Sequence, residues 1–111
     1  MKLESELRGN ILVIRVLGDR IDAAGAIQFK ERMRDIIQDP GERVVLDMSN
    51  VGFLDSSGLG AVVAVMKALG PLRRLELSGL TPTVEKVFRL TRMDSVFIIH
   101  KALPDGLRHA S

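Results

Sequence analysis

The spacing of apolar residues along the chain predicts short strands that alternate with helices. Two strand-like stretches come first, Leu3–Leu7 and Ile11–Leu17, and the second is rich in β-branched residues. Gly9 and Asn10 lie between them and form a turn signal. We therefore expect the two stretches to pair as an antiparallel hairpin.

The next segment has the period of an amphipathic helix. Apolar residues recur after Ala23 at steps of three and four, which places them on one helical face. Asp22 precedes this segment and is a suitable N-cap, and Pro40 and Gly41 follow its end. The residues of the predicted buried face are Ala26, Phe29, Met33, Ile36 and Ile37.

The middle of the chain predicts a buried strand and a second helix. Arg43–Met48 is almost continuously apolar, as is typical of a central strand that is covered on both faces. A loop follows, in which we expect Phe53 and Leu54 to plug the core. Leu59–Leu69 is apolar almost all round, which predicts a largely buried helix.

A further strand is predicted at Leu72–Leu77, where the alternation places Leu75 and Leu77 inward and Arg74 and Glu76 outward.

A third helix, a last strand and a short terminal helix complete the predicted elements. We expect Thr81 to cap the third helix and Pro82 to occupy its first position. The last strand is predicted at Val96–Ile99, and the terminal helix at Pro104–Ala110. The apolar stripe of the third helix consists of Val84, Val87 and Phe88.

The predicted order is therefore β-β-α-β-α-β-α-β, with a short C-terminal helix. Strands that alternate with helices form mostly parallel sheets with right-handed crossovers, and the hairpin makes this sheet a mixed one. We expect a single small α/β domain over residues 1–111. Its core spans about residues 3–100, and residues 101–111 form a tail or a short helix.

Composition excludes several classes of function. The 111 residues include no cysteine and two histidines, which excludes a thiolate metal site and a cysteine nucleophile. The 16 basic and 14 acidic residues give a net charge of +2, which indicates no nucleic-acid partner. No stretch reaches the roughly 18–20 apolar residues of a membrane span, and the N-terminus has no signal-peptide pattern. We therefore expect a cytoplasmic protein without direct membrane insertion.

The segment 55–60, Asp-Ser-Ser-Gly-Leu-Gly, carries the most chemically useful group of residues. It places one carboxylate and two hydroxyls at the N-terminus of the second helix, where free N–H groups and the helix dipole favour an anion. Gly58 and Gly60 have no side chain, so we expect another surface to approach this turn closely. The same residue types also form ordinary helix caps, and the sequence alone leaves both interpretations open.

No enzyme motif is complete in this chain. A P-loop is absent because no Gly-Lys pair occurs, and a dinucleotide fingerprint is absent because Val63 stands at its third glycine. Neither Ser56 nor Ser57 has a glycine two residues before it, as a nucleophile elbow requires. We expect His100 to be structural or exposed. The sequence therefore predicts no enzymatic activity, no cofactor and no metal.

Two segments carry a resemblance to a known family. The first reads Val-Val-Leu-Asp-Met-Ser at residues 44–49 and Phe-Leu-Asp-Ser-Ser-Gly-Leu-Gly at 53–60. The second reads Leu-Ser-Gly-Leu-Thr-Pro at residues 77–82 and continues to Phe97. With these segments the chain resembles the STAS domain of bacterial anti-anti-sigma factors, also called anti-sigma factor antagonists. The resemblance covers about residues 3–100 and implies the STAS fold.

The resemblance also implies a mechanism. The serine directly after the aspartate, Ser56, is the implied phosphorylation site, with Ser57 as second choice and as the expected helix cap. The implied partner is an anti-sigma factor serine kinase that supplies ATP, with a phosphatase as the opposing enzyme. The unphosphorylated chain, a monomer or weak dimer, binds the kinase and releases sigma factor. The implied partner-binding residues are Asp22, Asp55, Ser56, Ser57, Gly58, Leu59 and Gly60.

One loop departs from the family pattern and keeps alternatives open. Residues 18–22 form a segment one residue longer than the Gly-x-Leu-Asp that usually precedes the first helix. The longer loop favours a cytoplasmic STAS accessory subunit of a membrane lipid-transport ABC complex as an alternative. A stressosome-type scaffold protein is a further one. The intact Asp-Ser-Ser-Gly favours the antagonist.

Overall fold

The predicted order of strands and helices is confirmed in the computed structural model, which describes residues 1–103. Within that range, five strands form the main sheet and three helices pack on it. The strands are β1 Leu3–Arg8, β2 Ile11–Val16, β3 Arg20–Ile21, β4 Arg43–Asp47, β5 Phe53–Leu54, β6 Arg74–Ser78 and β7 Ile98–His100. The helices are α1 Ala23–Ile36, α2 Ser56–Leu69 and α3 Pro82–Leu90, with a 3-10 turn at Met93–Ser95.

The main sheet is mixed and has the strand order β1-β2-β4-β6-β7. β1 and β2 pair antiparallel through a turn in which Gly9 has a φ of 62°, a left-handed conformation that favours glycine. The other neighbours in this sheet are parallel, since a helix separates each strand from the next along the chain. β4 lies at the centre, and its residues Val44, Val45 and Leu46 are fully buried, as predicted.

The three helices cover one face of this sheet and form the main core with it. Side chains alternate between the two faces of a strand, so every second strand residue contacts the helices. Phe29 of α1, Val62 of α2 and Phe88 of α3 are fully buried in this cluster. The strand residues of the cluster are Leu12, Ile14, Val16, Val44, Leu46, Leu75 and Leu77.

Two short strands form a separate two-stranded parallel sheet that the sequence pattern does not predict. β3 pairs with β5, with Arg20 opposite Phe53 and Ile21 opposite Leu54. A strand of two residues is too short to show any alternation of apolar and polar positions. The expectation that Phe53 and Leu54 both plug the core is half wrong, because Leu54 is buried and the side chain of Phe53 is 47% exposed.

The second helix begins three residues earlier than its apolar pattern indicates. The pattern begins at Leu59, whereas α2 begins at Ser56. Asp55 is the N-cap, and its backbone carbonyl accepts the first helical hydrogen bond from Leu59 N at 2.9 Å. Ser56 and Ser57 in the first turn are exposed, so the apolar pattern does not include them. The N-cap at Asp55, and not the first apolar residue, marks where the helix begins.

The face of the main sheet opposite α1, α2 and α3 contains a buried ion-pair cluster. Glu76 of β6 points to this face, as predicted, but the expectation that it meets solvent is wrong because the residue is 2% exposed. Arg43 donates two hydrogen bonds to the Glu76 carboxylate, at 2.7 and 2.8 Å. His100 Nε2 lies 2.7 Å from Glu76 Oε1, so this histidine is structural, as expected. The pairing with Arg43 offsets the cost of burying the carboxylate.

The buried carboxylate makes stability depend on pH below the neutral range. Hydrogen bonds from Arg43 lower the pKa of Glu76 to about 2 from its ordinary 4.5; burial raises it, and the hydrogen bond to His100 lowers it further. A lowered pKa contributes stability above pH 4.5 that is lost as the pH falls towards 2. We expect Glu76→Gln to reduce the free energy of unfolding by about 2–3 kcal/mol at pH 7. Urea unfolding at several pH values would contradict this if the difference from wild type stayed constant down to pH 2.

Two further predictions concern α3. The apolar stripe of α3 is confirmed, since Val84 and Phe88 are fully buried and Val87 is partly buried against the same core. Thr81 is the N-cap residue of α3, but its hydroxyl donates to the carbonyl of Val51 at 2.8 Å and makes no cap bond. The predicted terminal helix at Pro104–Ala110 lies outside the described residues.

Among residues 1–103, no helix is long and apolar enough to cross a membrane.

Candidate functional site

The predicted site lies where two strand–helix units run side by side. In the first unit, β3 leads through Asp22 into α1, and in the second, β5 leads through Asp55 into α2. Because β3 and β5 pair in parallel, the N-termini of both helices face the same way at neighbouring positions. The positive ends of two helix dipoles therefore meet at the predicted site.

Both aspartates cap the helices that they precede. Asp22 Oδ1 accepts a hydrogen bond from the backbone N–H of Gly25 at 2.9 Å. Asp55 Oδ1 accepts one from Gly58 at the same distance. Both residues are half-buried, and both have the extended backbone of an N-cap. The cap predicted for α1 at Asp22 is thus confirmed.

The Asp55 carboxylate also connects the two units. While Oδ1 caps α2, Oδ2 accepts a hydrogen bond from the backbone N–H of Ala23, the first residue of α1, at 3.1 Å. The backbone N–H of Asp55 points at the Ile21 carbonyl of β3 at 3.5 Å. One side chain therefore holds the two helix N-termini in register, which makes the turn before Ser56 rigid.

The two serines are exposed on this turn. Ser56 is the first residue of α2 and Ser57 the second, and both are exposed to solvent. The expectation that Ser57 caps the helix is wrong, because Asp55 occupies the cap and satisfies the N–H of Gly58. Within residues 1–103, neither serine hydroxyl makes a hydrogen bond. Both hydroxyls are therefore open to another molecule.

The two glycines of the cluster have different roles. Gly58 is buried, and a Cβ on it would lie 2.0 Å from the Ile21 carbonyl oxygen and 2.9 Å from Leu54 Cδ1. It therefore allows β3 of the same chain to approach, and its assignment to partner contact is corrected to one of internal packing. A Cβ on Gly60 would meet nothing within 4 Å, so this residue leaves open space on the surface. Leu59 is half-buried.

Two exposed apolar side chains on the same units were missed by the sequence reasoning. Phe53 of β5 is 47% exposed, and Ile27 in the second turn of α1 is 60% exposed. The exposure of Ile27 could have been predicted, because Ile27 lies outside the buried stripe of α1 that contains Ala26 and Phe29. Exposed apolar side chains bordered by polar residues are typical of protein interfaces.

The chemistry available at the site is that of binding and modification. The free donors are backbone N–H groups of the first helical turns, and the positive dipole ends favour added negative charge. Within the described residues, no group of three or more His, Cys, Asp or Glu side chains could hold a metal ion. His100 is occupied by Glu76, so it does not act on these serines.

Comparison with known proteins gives consistent results. The STAS domain family matches residues 2–106. The chain is 22% identical over 102 residues to the anti-sigma-B factor antagonist of Staphylococcus aureus, covering 91% of this chain and 94% of that protein.

Solved structures of two further proteins resemble the whole fold. One is an anti-sigma factor antagonist from Mycobacterium paratuberculosis, with a TM-score of 0.84, 26% identity, and 96% of this chain and 90% of the other covered. The other is the Bacillus cell fate determinant SpoIIAA in its phosphorylated form, with a TM-score of 0.65 and 23% identity, covering 95% and 94%.

The STAS domain family matches almost the whole chain, including the site around residues 55–60. The match begins at residue 2 and ends at residue 106. It includes the whole main sheet and all three helices described above. The chain therefore belongs to the STAS domain family.

Proposed function

We propose that the chain is an anti-sigma factor antagonist that is switched by phosphorylation of Ser56. With a free Ser56 hydroxyl, it binds a cognate anti-sigma factor serine kinase in the cytoplasm and so releases sigma factor. The kinase transfers phosphate from ATP to Ser56, the phosphorylated chain dissociates, and a phosphatase restores the binding form. The chain itself has no enzymatic activity in this scheme.

One observation carries the proposal. Ser56 is an exposed residue on a turn that Asp55 ties to both α1 and α2 through hydrogen bonds of 3.1 and 2.9 Å. A kinase needs an accessible hydroxyl, and a partner needs a surface of defined shape. That surface has a polar part at Ser57, a flat part at Gly60 and an apolar part at Phe53, and all three residues are exposed.

The relatives support the same function. Proteins named anti-sigma factor antagonists match this chain over nearly its full length in sequence and in fold. A neighbour of the same fold has been solved in a phosphorylated form, so the fold is compatible with this modification. Ser56 lies directly after the aspartate that the family resemblance identifies as preceding the modified serine.

Local physics also favours a switch that leaves the fold intact. A phosphate adds about −1.5 to −2 charges and three acceptor oxygens. At the first residue of α2, the N-terminal dipole and the free N–H groups stabilise added negative charge. The phosphate lies outside the core because Ser56 is exposed. We therefore expect the partner, and not the domain, to respond to the modification.

The assignment to Ser56 can be tested against its neighbour. Ser56→Ala should abolish phosphate incorporation by the cognate kinase and ATP, whereas Ser57→Ala should retain most of it. Both side chains are exposed, so both variants should melt within a few degrees of wild type. Intact-mass spectrometry reads the incorporation, and fragment spectra locate the phosphate.

The two variants also distinguish a modification site from a binding residue. Ser56→Ala should still bind the kinase, because the hydroxyl accepts phosphate and the surrounding turn provides the contacts. Phosphate found on another residue of wild type, with Ser56 unmodified, would reject the assignment. Recovery of a membrane ATPase in place of a sigma-regulating kinase in a pull-down would reject the antagonist function itself.

A further inference from the structure

A pocket lies away from the Ser56 turn, on the face of the main sheet opposite α1, α2 and α3. It opens at the carboxyl ends of the parallel strands and has a volume of about 410 Å³. None of residues 55–60 lines it. Among the residues that line it are Arg15, Asp47, Ser49, Ser78, Lys101 and Leu103.

The register of the sheet places three of these residues in one row. Arg15 of β2 is opposite Asp47 of β4, and Asp47 is opposite Ser78 of β6. Paired residues on neighbouring parallel strands point to the same face. Their polar groups therefore converge on the same side of the sheet, at the end of an open α/β sheet where ligands commonly bind.

The carboxylate among these three residues is already satisfied within the chain. Asp47 is 6% exposed; its Oδ2 accepts from Arg15 Nε at 3.3 Å, and its Oδ1 accepts from the backbone N–H of Ser49 at 3.0 Å. These two bonds neutralise its charge locally. A ligand in the pocket thus meets a carboxylate whose oxygens are occupied.

The remaining polar groups are hydrogen-bond donors without partners. Ser78 is fully buried, and within the described part of the chain its Oγ makes no hydrogen bond. Over the same residues, no bond is made by the terminal guanidinium nitrogens of Arg15 or by Nζ of Lys101, an exposed residue. A buried hydroxyl without a partner is unfavourable, and a hydrogen bond to a ligand oxygen would remove that cost.

We infer that this pocket binds a small organic oxyanion, either a carboxylate or a phosphate ester. The anionic group lies between the Arg15 guanidinium and the Lys101 ammonium, the two cationic groups among the lining residues named above. The buried hydroxyl of Ser78 turns about its Cα–Cβ bond to meet a ligand oxygen. Ala102 and Leu103 contact a short hydrocarbon part of the ligand.

The donor set explains why an oxyanion fits better than a neutral ligand. A guanidinium and an ammonium both donate and cannot accept, and a guanidinium fork matches the two oxygens of a carboxylate or phosphate. The apolar wall beside them gives preference to an organic anion over an inorganic one. This inference does not depend on the proposed function of Ser56.

Titration of the ¹⁵N-labelled full chain with butyrate, inorganic phosphate and chloride at equal ionic strength tests the inference. We expect the amide signals of Ser49, Ser78, Gly79 and Lys101 to shift and saturate with butyrate or phosphate but not with chloride. The signals of residues 55–60 should stay in place. Saturation with only one of the two probes identifies the anionic group, and stronger binding of butyrate supports the hydrocarbon contact.

Two results of this titration would reject the inference. If neither probe causes saturating shifts at these four residues, the inference is wrong. Shifts that are spread over the chain and never saturate would indicate non-specific screening of charge and would also reject it.

Substitutions separate a ligand site from a merely structural cluster. Ser78→Ala removes the unpartnered hydroxyl, so the ligand-free variant should melt no lower than wild type, while its affinity for the bound probe falls at least fivefold. Lys101→Gln should weaken binding similarly, and Lys30→Gln on α1, outside the pocket, serves as the matched charge control. A Ser78→Ala variant that melts lower but binds the probe as wild type does would overturn the inference.

Discussion

Phosphorylation of Ser56 is expected to weaken binding to the anti-sigma factor by about 30- to 150-fold, which corresponds to 2–3 kcal/mol. The serine is exposed at the start of α2, so the phosphate projects into the interface and not into the core. A partner that packs on the turn would have to desolvate about two negative charges beside the carboxylates of Asp22 and Asp55. Steric conflict adds to this cost.

Calorimetry with the phosphorylated and unphosphorylated chains would measure the loss directly. Ser56→Asp should reproduce part of it, because aspartate adds one charge and less bulk than phosphate. Ser5→Asp is the matched control, since Ser5 is exposed on β1 and outside the two strand–helix units. Equal affinities for the phosphorylated and unphosphorylated chains would refute the switch.

Gly58→Ala is expected to be the most damaging single substitution at the site. The added Cβ would lie 2.0 Å from the Ile21 carbonyl oxygen, a distance at which the backbone must move. Moving β3 away would also stretch the contact between Asp55 and the first residue of α1. We expect a loss of at least about 4 kcal/mol in the free energy of unfolding, a large share of the roughly 5–15 kcal/mol of a typical domain.

The same helix contains a matched control for this prediction. Gly60 is two residues further on, and a Cβ there would meet nothing within 4 Å. Gly60→Ala should therefore be neutral or stabilising by up to about 1 kcal/mol, because alanine favours a helix more than glycine does. Thermal and urea unfolding of both variants measure the contrast, and equal stabilities would show that the close approach of β3 does not matter.

Most of the fold could be predicted from the sequence because its signals are local. The steps of three and four along α1 and the apolar run of β4 each reflect burial of one element. Gly9 marked the hairpin turn, and Asp22 marked the beginning of α1. Elements without such a period, β3 and β5, were not predicted, since two residues cannot show one.

The position of the candidate site was also visible in the sequence, but its construction was not. Residues 55–60 stood out as a polar group before an apolar helix. The hydrogen bond from Ala23 to Asp55 joins residues that are 32 positions apart, so no local pattern could reveal it. For the same reason partner contact was assigned to Gly58, whose close neighbour is the Ile21 carbonyl. The cap at Ser57 was implied by the family resemblance, and the bond that contradicts it, from Gly58 to Asp55, spans three residues.

The environment of Glu76 is a second feature that could not be predicted from local sequence. Alternation along β6 placed Glu76 on the face away from the helices, which is correct, but solvent was the expected neighbour. Arg43 and His100 come from strands on either side of β6 and bury the carboxylate between them. Which charged residues meet is determined by strand order, and strand order is not encoded in the period of any single strand.

The amino-acid sequence by itself thus determined the type and order of the main elements, the family resemblance, and the short segment that carries Ser56. These depend on interactions between near neighbours or on a contiguous motif. Only the tertiary structure decided that Asp55 joins two helices, that Gly58 faces the Ile21 carbonyl, and that a donor-rich pocket opens beside Ser78. Each of these depends on residues far apart in the chain, which the pairing of strands brings within bonding distance.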